Sequence, residues 1–437
     1  VDVAEARGYV TRSAKRYDLI HVALLDSFGA TNAGVHALSE SYIYTVEALQ
    51  AYLEHLAPGG LLAITRWLKL PPRDSLKLFG TAIDALKRTG VAAPGRHLAL
   101  IRSWNTSTLL VKNGHLTEPD VVAIRDFCER RSFDVAYYPA MQRSEANRFN
   151  LLDEAQLFDG ATALLSAARP DFSHRYKFHI TPATDDKPHF FHFFKWRSLP
   201  ELLALPQGGR GSLVEWGYLI LVATIVQALF VGMVLILVPL WVTKHARRTR
   251  TGARMGFYFG ALGLAFIFME IAFIQKFILF LNHPLYAIAV VLSGFLVFAG
   301  VGSGYSGQLA RRLENITFPP IAAAVVGIIG ISLIYIFLLA DMSSWLVALP
   351  DAAKITASLA LIAPLAFCMG MPFPLGLAKL AAHDPDFIPW AWGINGFASV
   401  VSAALATLLA IHFGFTAVVV LALVLYALAA VLVRRPL

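Results

Sequence analysis

Asp26 closes an apolar run, Tyr17 to Leu25, that reads as a buried strand of a parallel sheet. The carboxyl end of such a strand is where α/β sheets bind ligands. A carboxylate there is either a ligand-holding or proton-accepting group, or a cap for the strand end. Tyr42 and Tyr44 follow a loop of Gly and small residues, Ser27 to Gly34, and either line the same cleft or pack into the core. A second concentration of chemistry is Asp185-Asp186, next to Pro188 and the run His189-Phe190-Phe191-His192-Phe193-Phe194-Lys195-Trp196. Adjacent carboxylates and histidines invite metal or acid–base roles. Their spacing matches no zinc motif, and Phe, His, Lys and Trp just before a membrane helix have the composition of an interfacial anchor. The third set is Glu270, Lys276 and Asn395, polar groups set in long apolar stretches. Ionisable groups at membrane depth are costly, which marks Glu270 for function or for a bond to another helix. Lys276 is its nearest partner in sequence, although six positions do not place two side chains on one helix face.

The elements that must carry these residues follow from periodicity. After Tyr17 to Leu25, the stretch Ser39 to Leu56 puts Tyr42, Val46, Leu49, Leu53 and Leu56 at helical spacing, and Pro58-Gly59-Gly60 stops it. A second strand begins at Leu61 to Thr65, and a helix over Ser75 to Arg88 carries Leu76, Phe79, Ile83 and Leu86 on one face. His97 to Arg102 and Thr108 to Lys112, joined by a short polar loop, predict an antiparallel pair. The order is that of the C-terminal half of a doubly wound sheet with an antiparallel edge.

Beyond Ser212 the character changes. Seven apolar runs, about residues 214–242, 256–280, 284–306, 317–340, 354–378, 390–411 and 414–433, each approach the ~20 residues that cross a bilayer. Of the 37 Lys+Arg and 29 Asp+Glu, 25 and 22 lie in residues 1–212. The expected fold class is therefore an α/β unit, the C-terminal half of a Rossmann-like transferase sheet, followed by an all-α multi-pass membrane domain. Residues 1–115 form the α/β part, 116–212 an extension and membrane-proximal linker, and 213–437 the helices. Small-residue clusters such as Gly300-Val301-Gly302-Ser303-Gly304 and Gly370-Met371-Pro372 permit close helix contact. The net charge of +8 follows membrane topology, because its densest basic run, Lys244 to Arg254, adjoins a span. Nucleic-acid binding is not expected. Cys128 and Cys368 make no metal or redox motif.

Tyr17-Asp18-Leu19-Ile20, Asp26-Ser27 and a helix ending in Leu-Ala-Pro-Gly-Gly-Leu-Leu-Ala-Ile resemble the second half of a class I S-adenosylmethionine-dependent transferase. Glu5-Ala6-Arg7-Gly8-Tyr9-Val10 upstream sharpens the likeness to spermidine synthases, the aminopropyltransferases. The multi-pass tail and Ala183-Thr184-Asp185-Asp186-Lys187-Pro188 resemble their membrane-bound relatives in the bacterial inner membrane. The resemblance implies that Glu5, with Ala6 beside it, accepts a hydrogen bond from the cofactor's adenine. It implies that Asp26 holds or deprotonates an amine attacking the carbon activated by the sulfonium of S-adenosylmethionine or its decarboxylated form. Tyr42, Asp185 and Asp186 would meet the small amine substrate. The chain departs from the family after Asp26-Ser27, continuing Phe28-Gly29-Ala30 without the usual second Asp and Pro. The family's Gly-rich cofactor loop lies upstream of Val1, so this stretch alone is not expected to hold the cofactor.

Two readings stand beside aminopropyl transfer: methyl transfer by the same cleft, and a transporter or membrane scaffold whose α/β part does no chemistry. Basic residues at Lys244 to Arg254, Arg311-Arg312 and Arg434-Arg435 fall on one side of seven alternating spans, the cytoplasm by the positive-inside rule. That assignment puts the front of the chain outside, away from a cytoplasmic cofactor.

Overall fold

A computed structural model of the 437-residue chain describes residues 6–24, 40–204, 216–243, 250–281, 284–313, 319–346 and 349–434. The chain divides into two compact units, Val1–Ile220 and Leu221–Leu437.

The first unit is built on a mixed five-stranded sheet in the order β1-β2-β4-β3-β5. β1 (Tyr17–Val22) runs parallel to β2 (Leu56–Trp67), while β4 (Thr106–Lys112), β3 (Leu98–Arg102) and β5 (Asp134–Tyr137) join by antiparallel ladders. The expected faces are the buried ones. Leu76, Phe79, Ile83 and Leu86 of the helix Asp74–Arg88 and Leu49 and Leu53 of the helix Val46–Glu54 enter one core with Leu62, Ile64, Leu98, Leu100, Leu109 and Val111. Each fully buried Leu, Ile or Phe contributes about 1.5–3 kcal/mol of transfer free energy. The alternate positions Ala99, Leu110 and Val135 face a smaller cluster on the other side, closed by Val121 and Ile124 of the helix Glu118–Arg131.

Three boundaries differ from the pattern in the sequence. The helix expected from Ser39 begins at Val46, because Thr45 caps it by accepting the Ala48 N–H at 3.2 Å and Tyr42–Tyr44 forms a separate 3-10 turn. Leu56 is strand, not helix. Pro58-Gly59-Gly60 lies inside β2, where the register with β1 slips between Tyr17 and Leu19 and Gly59 takes a left-handed φ of 79°.

The aromatic run is the largest correction. Phe190, Phe193, Phe194, His189 and His192 are buried within the first unit, not spread along a membrane interface. Their stretch folds back through backbone bonds from Ser41 N–H to the Pro188 carbonyl (2.8 Å), Val46 N–H to Ala183 (2.9 Å) and His179 N–H to Phe193 (2.7 Å). Lys195 donates to the carbonyls of Ser173, His174 and Tyr176, at the end of the helix Arg169–Arg175. Only Trp196 keeps an exposed ring; Phe194 stacks on Tyr218 with centroids 4.9 Å apart.

Among the described residues, seven helices are long and apolar enough to cross a membrane: Trp216–Val242, Gly252–Leu281, Pro284–Arg312, Pro320–Phe337, Ala352–His383, Pro385–Phe413 and Phe415–Val433. By length and composition the chain is a multi-pass membrane protein. Contacts inside the second unit obey the alternation that seven crossings require. The sixth span runs along the second in the same direction, since Asn395 reaches the Phe259 carbonyl and Ser399 that of Gly263. The fourth runs against the fifth, with Gly327 facing Cys368 and the Tyr335 hydroxyl donating to the Leu361 carbonyl. Lys379 and Val433, near the ends of the fifth and seventh, meet at 2.6 Å.

Of the glycines expected to permit close contact, Gly302 and Gly370 do so and Gly300 and Gly304 face open space. A Cβ on Gly302 would overlap the Phe367 carbonyl, and one on Gly370 the Ala299 carbonyl, so the third and fifth spans touch backbone to backbone. The fifth span is interrupted at Gly370–Met371, between the helices Asp351–Met369 and Pro372–His383.

Candidate functional site at the carboxyl end of the parallel strands

β1 and β2 are parallel, so their carboxyl ends share one edge, and Arg66 near the end of β2 fixes what gathers there. Its guanidinium donates to the Tyr44 hydroxyl at 2.9 Å, lies 3.6 Å from Asp74 and packs beside the edge-to-face pair Tyr44 and Phe191, 4.9 and 4.8 Å from their centroids. Arg73 packs on Phe178 and Phe193 (5.2 and 5.0 Å), 3.7 Å from the same Asp74. Lys77, one turn into that helix, donates to the carbonyls of His189 (3.2 Å) and His192 (2.9 Å) and faces Phe190 and Phe193. The three cations are only 2%, 3% and 1% exposed. Desolvated cations need compensation, and the negative ring faces, the carbonyls and Asp74 provide it. This is why the aromatic run belongs in the core. The sequence carries one signal for it, a lone Arg in the apolar strand Leu61 to Trp67.

Glu40, Tyr42 and His189 lie beside this cluster. His189 Nε2 is 3.9 Å from Glu40 Oε1. Burial, and then the charge of Lys77, bring His189 down to about 4, so the imidazole is neutral at pH 7 and the contact is not an ion pair. Burial raises the Glu40 carboxyl above its ordinary value, against a lowering backbone hydrogen bond. Burial also raises the Tyr42 phenol well above its ordinary value, with Glu40 and Asp185 adding to the shift. At neutral pH the imidazole and the phenol are therefore both held uncharged, and only the Glu40 carboxyl is shifted in the direction that favours proton exchange.

Asp185 has a different task. Its two oxygens accept a bidentate pair from Arg7, both at 2.7 Å, and Oδ1 also accepts the Thr45 hydroxyl at 2.7 Å. Its N–H donates to Glu47 Oε2 at 2.9 Å, and Glu47 accepts from Arg88 at 2.6 Å. One carboxylate thus ties the helix Ala6–Arg12, the cap of the helix Val46–Glu54 and the returning segment together. Burial disfavours the charge on Arg7, but the hydrogen bond and charge of Asp185 outweigh it and raise the guanidinium further. Asp186 sits in the turn that the Thr184–Lys187 bridge closes.

Comparison with models of protein families, with curated proteins and with solved structures finds no match to this chain. The site must therefore be judged on its own geometry. Asp26 and Glu5 lie outside the described residues, and Ala6 opens the helix Ala6–Arg12. Tyr42 and Asp185 come together through Arg7, whose Nη1 donates to the Tyr42 carbonyl at 3.3 Å and to Asp185 Oδ1 at 2.7 Å. Glu270, Lys276 and Asn395 belong to the second unit. Among the described residues no group of three His, Cys, Asp or Glu side chains converges as metal ligands.

Proposed function

We propose that the first unit is the acceptor-side half of an S-adenosylmethionine-type transferase, similar to spermidine synthases, carried by a seven-helix membrane protein of the bacterial inner membrane. The observation that carries this reading is the sheet. β1 and β2 run parallel, and the hairpin β3–β4 doubles back so that β4 lies antiparallel against β2, a mixed sheet compatible with one half of a doubly wound sheet and its antiparallel edge. The buried groups at the carboxyl ends of its parallel strands stand where ligands of such sheets bind.

In the reaction, the nitrogen of an amine attacks the carbon next to the donor's sulfonium. The new C–N bond forms as the C–S bond breaks, methylthioadenosine leaves, and the amine proton passes to a carboxylate. Asp26 is the expected base, and Glu40, 3.9 Å from His189, is a second carboxyl at the same edge to take the proton. With S-adenosylmethionine itself the same attack would transfer a methyl group and release S-adenosylhomocysteine.

The nucleoside product decides between them. Membranes bearing the full chain, given decarboxylated S-adenosylmethionine and a diamine, should yield methylthioadenosine, and both Asp26→Asn and Glu40→Gln should lower the yield by about 10²-fold or more. S-adenosylhomocysteine from the unmodified donor would point to methyl transfer. Neither nucleoside above an inactivated control would remove the enzyme reading. Sidedness is an independent check: a single Cys at Asn113 that an impermeant thiol reagent labels in intact spheroplasts would put the unit away from its cofactor.

A further inference from the structure

Glu270 is the one carboxyl in the second span, Gly252–Leu281, and it lies eleven residues from the nearer end, about 16 Å along the helix axis. It is 6% exposed, and its Oε1 has no hydrogen-bond partner among the described residues. The sequence left two roles open, a bond to a neighbouring helix or a functional group; for Oε1 the structure shows no such bond.

The surroundings supply a second observation. The second span has the largest buried share of the seven, and the third, fifth, sixth and seventh pack around it. Along its seam with the sixth span runs a row of small polar groups: Asn395 donates to the Phe259 carbonyl at 3.0 Å, Ser399 to Gly263 at 3.5 Å, and Ser402, fully buried, to Ser399. The two helices run in the same direction, so this row advances along the span toward Glu270. The ionisable groups on the packed helices are Arg254, Tyr258 and Lys276 on the span itself, Tyr286, Tyr305, Arg311 and Arg312 on the third, Lys354, Cys368, Lys379 and His383 on the fifth, Asp386 and His412 on the sixth and Tyr426 on the seventh. Among the described residues none forms an ion pair or hydrogen bond with Glu270. A buried carboxyl with an unsatisfied oxygen beside a polar seam contributes nothing to packing that a Leu would not contribute better.

We propose that Glu270 is a proton-exchange site inside the membrane body, giving the second unit a proton-coupled activity separate from the transferase reading. The step is the reversible passage of one proton between the Glu270 carboxyl and water entering along the seam of the second and sixth spans. Charge on the carboxylate is balanced by the departing proton.

The test uses dicyclohexylcarbodiimide, an apolar reagent that adds to carboxylic acids, on the full chain in liposomes from about pH 5 to about pH 9, with the adduct mapped by mass spectrometry and normalised to a soluble carboxylic acid. We expect an adduct at Glu270 whose yield falls at least about tenfold as pH rises, absent in Glu270→Gln and kept in Glu270→Asp. No adduct at Glu270, or a yield independent of pH, overturns the proposal. In the same liposomes, an imposed pH gradient should collapse faster with the unmodified chain and with Glu270→Asp than with Glu270→Gln; equal rates for all three overturn it as well.

Discussion

The two units bury charge in opposite ways. In the first, Arg66, Arg73 and Lys77 are almost fully enclosed, each beside two aromatic rings and with a carboxylate, hydroxyl or carbonyl in reach. In the second, Glu270 is almost as enclosed, but its Oε1 has nothing to bond. Cohesion there comes instead from backbone contact at Gly302 and Gly370 and from interdigitated apolar side chains. A buried ion surrounded by partners is part of the scaffold, and removing it leaves those partners unsatisfied. One without partners is a standing cost, which a fold keeps only where the group is used.

The largest effect that would test this contrast lies in the second unit's close contact. Gly302→Leu must push the Phe367 backbone away and should cost about 3 kcal/mol or more, read as a fall in melting temperature of the full chain in detergent. A loss under ~1 kcal/mol would mean the third and fifth spans do not rely on that approach. Next comes the tie in the first unit: Asp185→Ala strands Arg7 and should cost about 2–3 kcal/mol, seen as faster amide exchange in Ala6–Arg12 and Val46–Glu54. The double variant Arg7→Met, Asp185→Leu should recover most of that loss, since no charge is then left unpaired.

Smaller, but more direct, is the pair Lys77→Met and Glu270→Gln. Lys77→Met leaves the carbonyls of His189 and His192 without their donor and should destabilise by about 1–3 kcal/mol. Glu270→Gln should change stability by no more than about 0.5 kcal/mol or raise it. Equal losses in both would erase the distinction between the units. The smallest expected effect is in acid. Burial would raise Asp120, but hydrogen bonds from Lys112 and Thr117 outweigh it and bring Asp120 down to about 2. A carboxyl lowered in the folded state stabilises at pH values above its unfolded pKa of about 4. That contribution fades as pH falls toward about 2 and amounts to about 1 kcal/mol after solvent screening. Denaturant midpoints between those pH values should fall less in Asp120→Asn than in the unmodified chain.

Several features were legible in the residues themselves. The seven spans match, within a few residues, the runs read from composition, because crossing a bilayer is a property of ~20 consecutive side chains. The buried face Leu76, Phe79, Ile83, Leu86 follows from helical period for the same local reason. Glu270 stood out because an ionisable group in an apolar run is conspicuous wherever the run ends up.

What local pattern could not show was who meets whom. The aromatic run at His189 to Trp196 had the composition of a membrane anchor, and only the return of the chain over the helix Asp74–Arg88 put it around three buried cations. Asp185 and Arg7 are 178 positions apart, and no periodicity relates them. The extension of β2 through Pro58–Gly60 depended on pairing with Tyr17, not on the turn chemistry of those residues. The sequence by itself determined where apolar surface lies along the chain and therefore where the spans and the amphipathic helix faces fall, but not where β2 begins. The tertiary structure alone decided which buried charges have partners, because desolvation and pairing depend on distances between residues remote in sequence. Glu270 was visible as a buried carboxyl from the sequence; that its Oε1 has no partner was a finding of the fold.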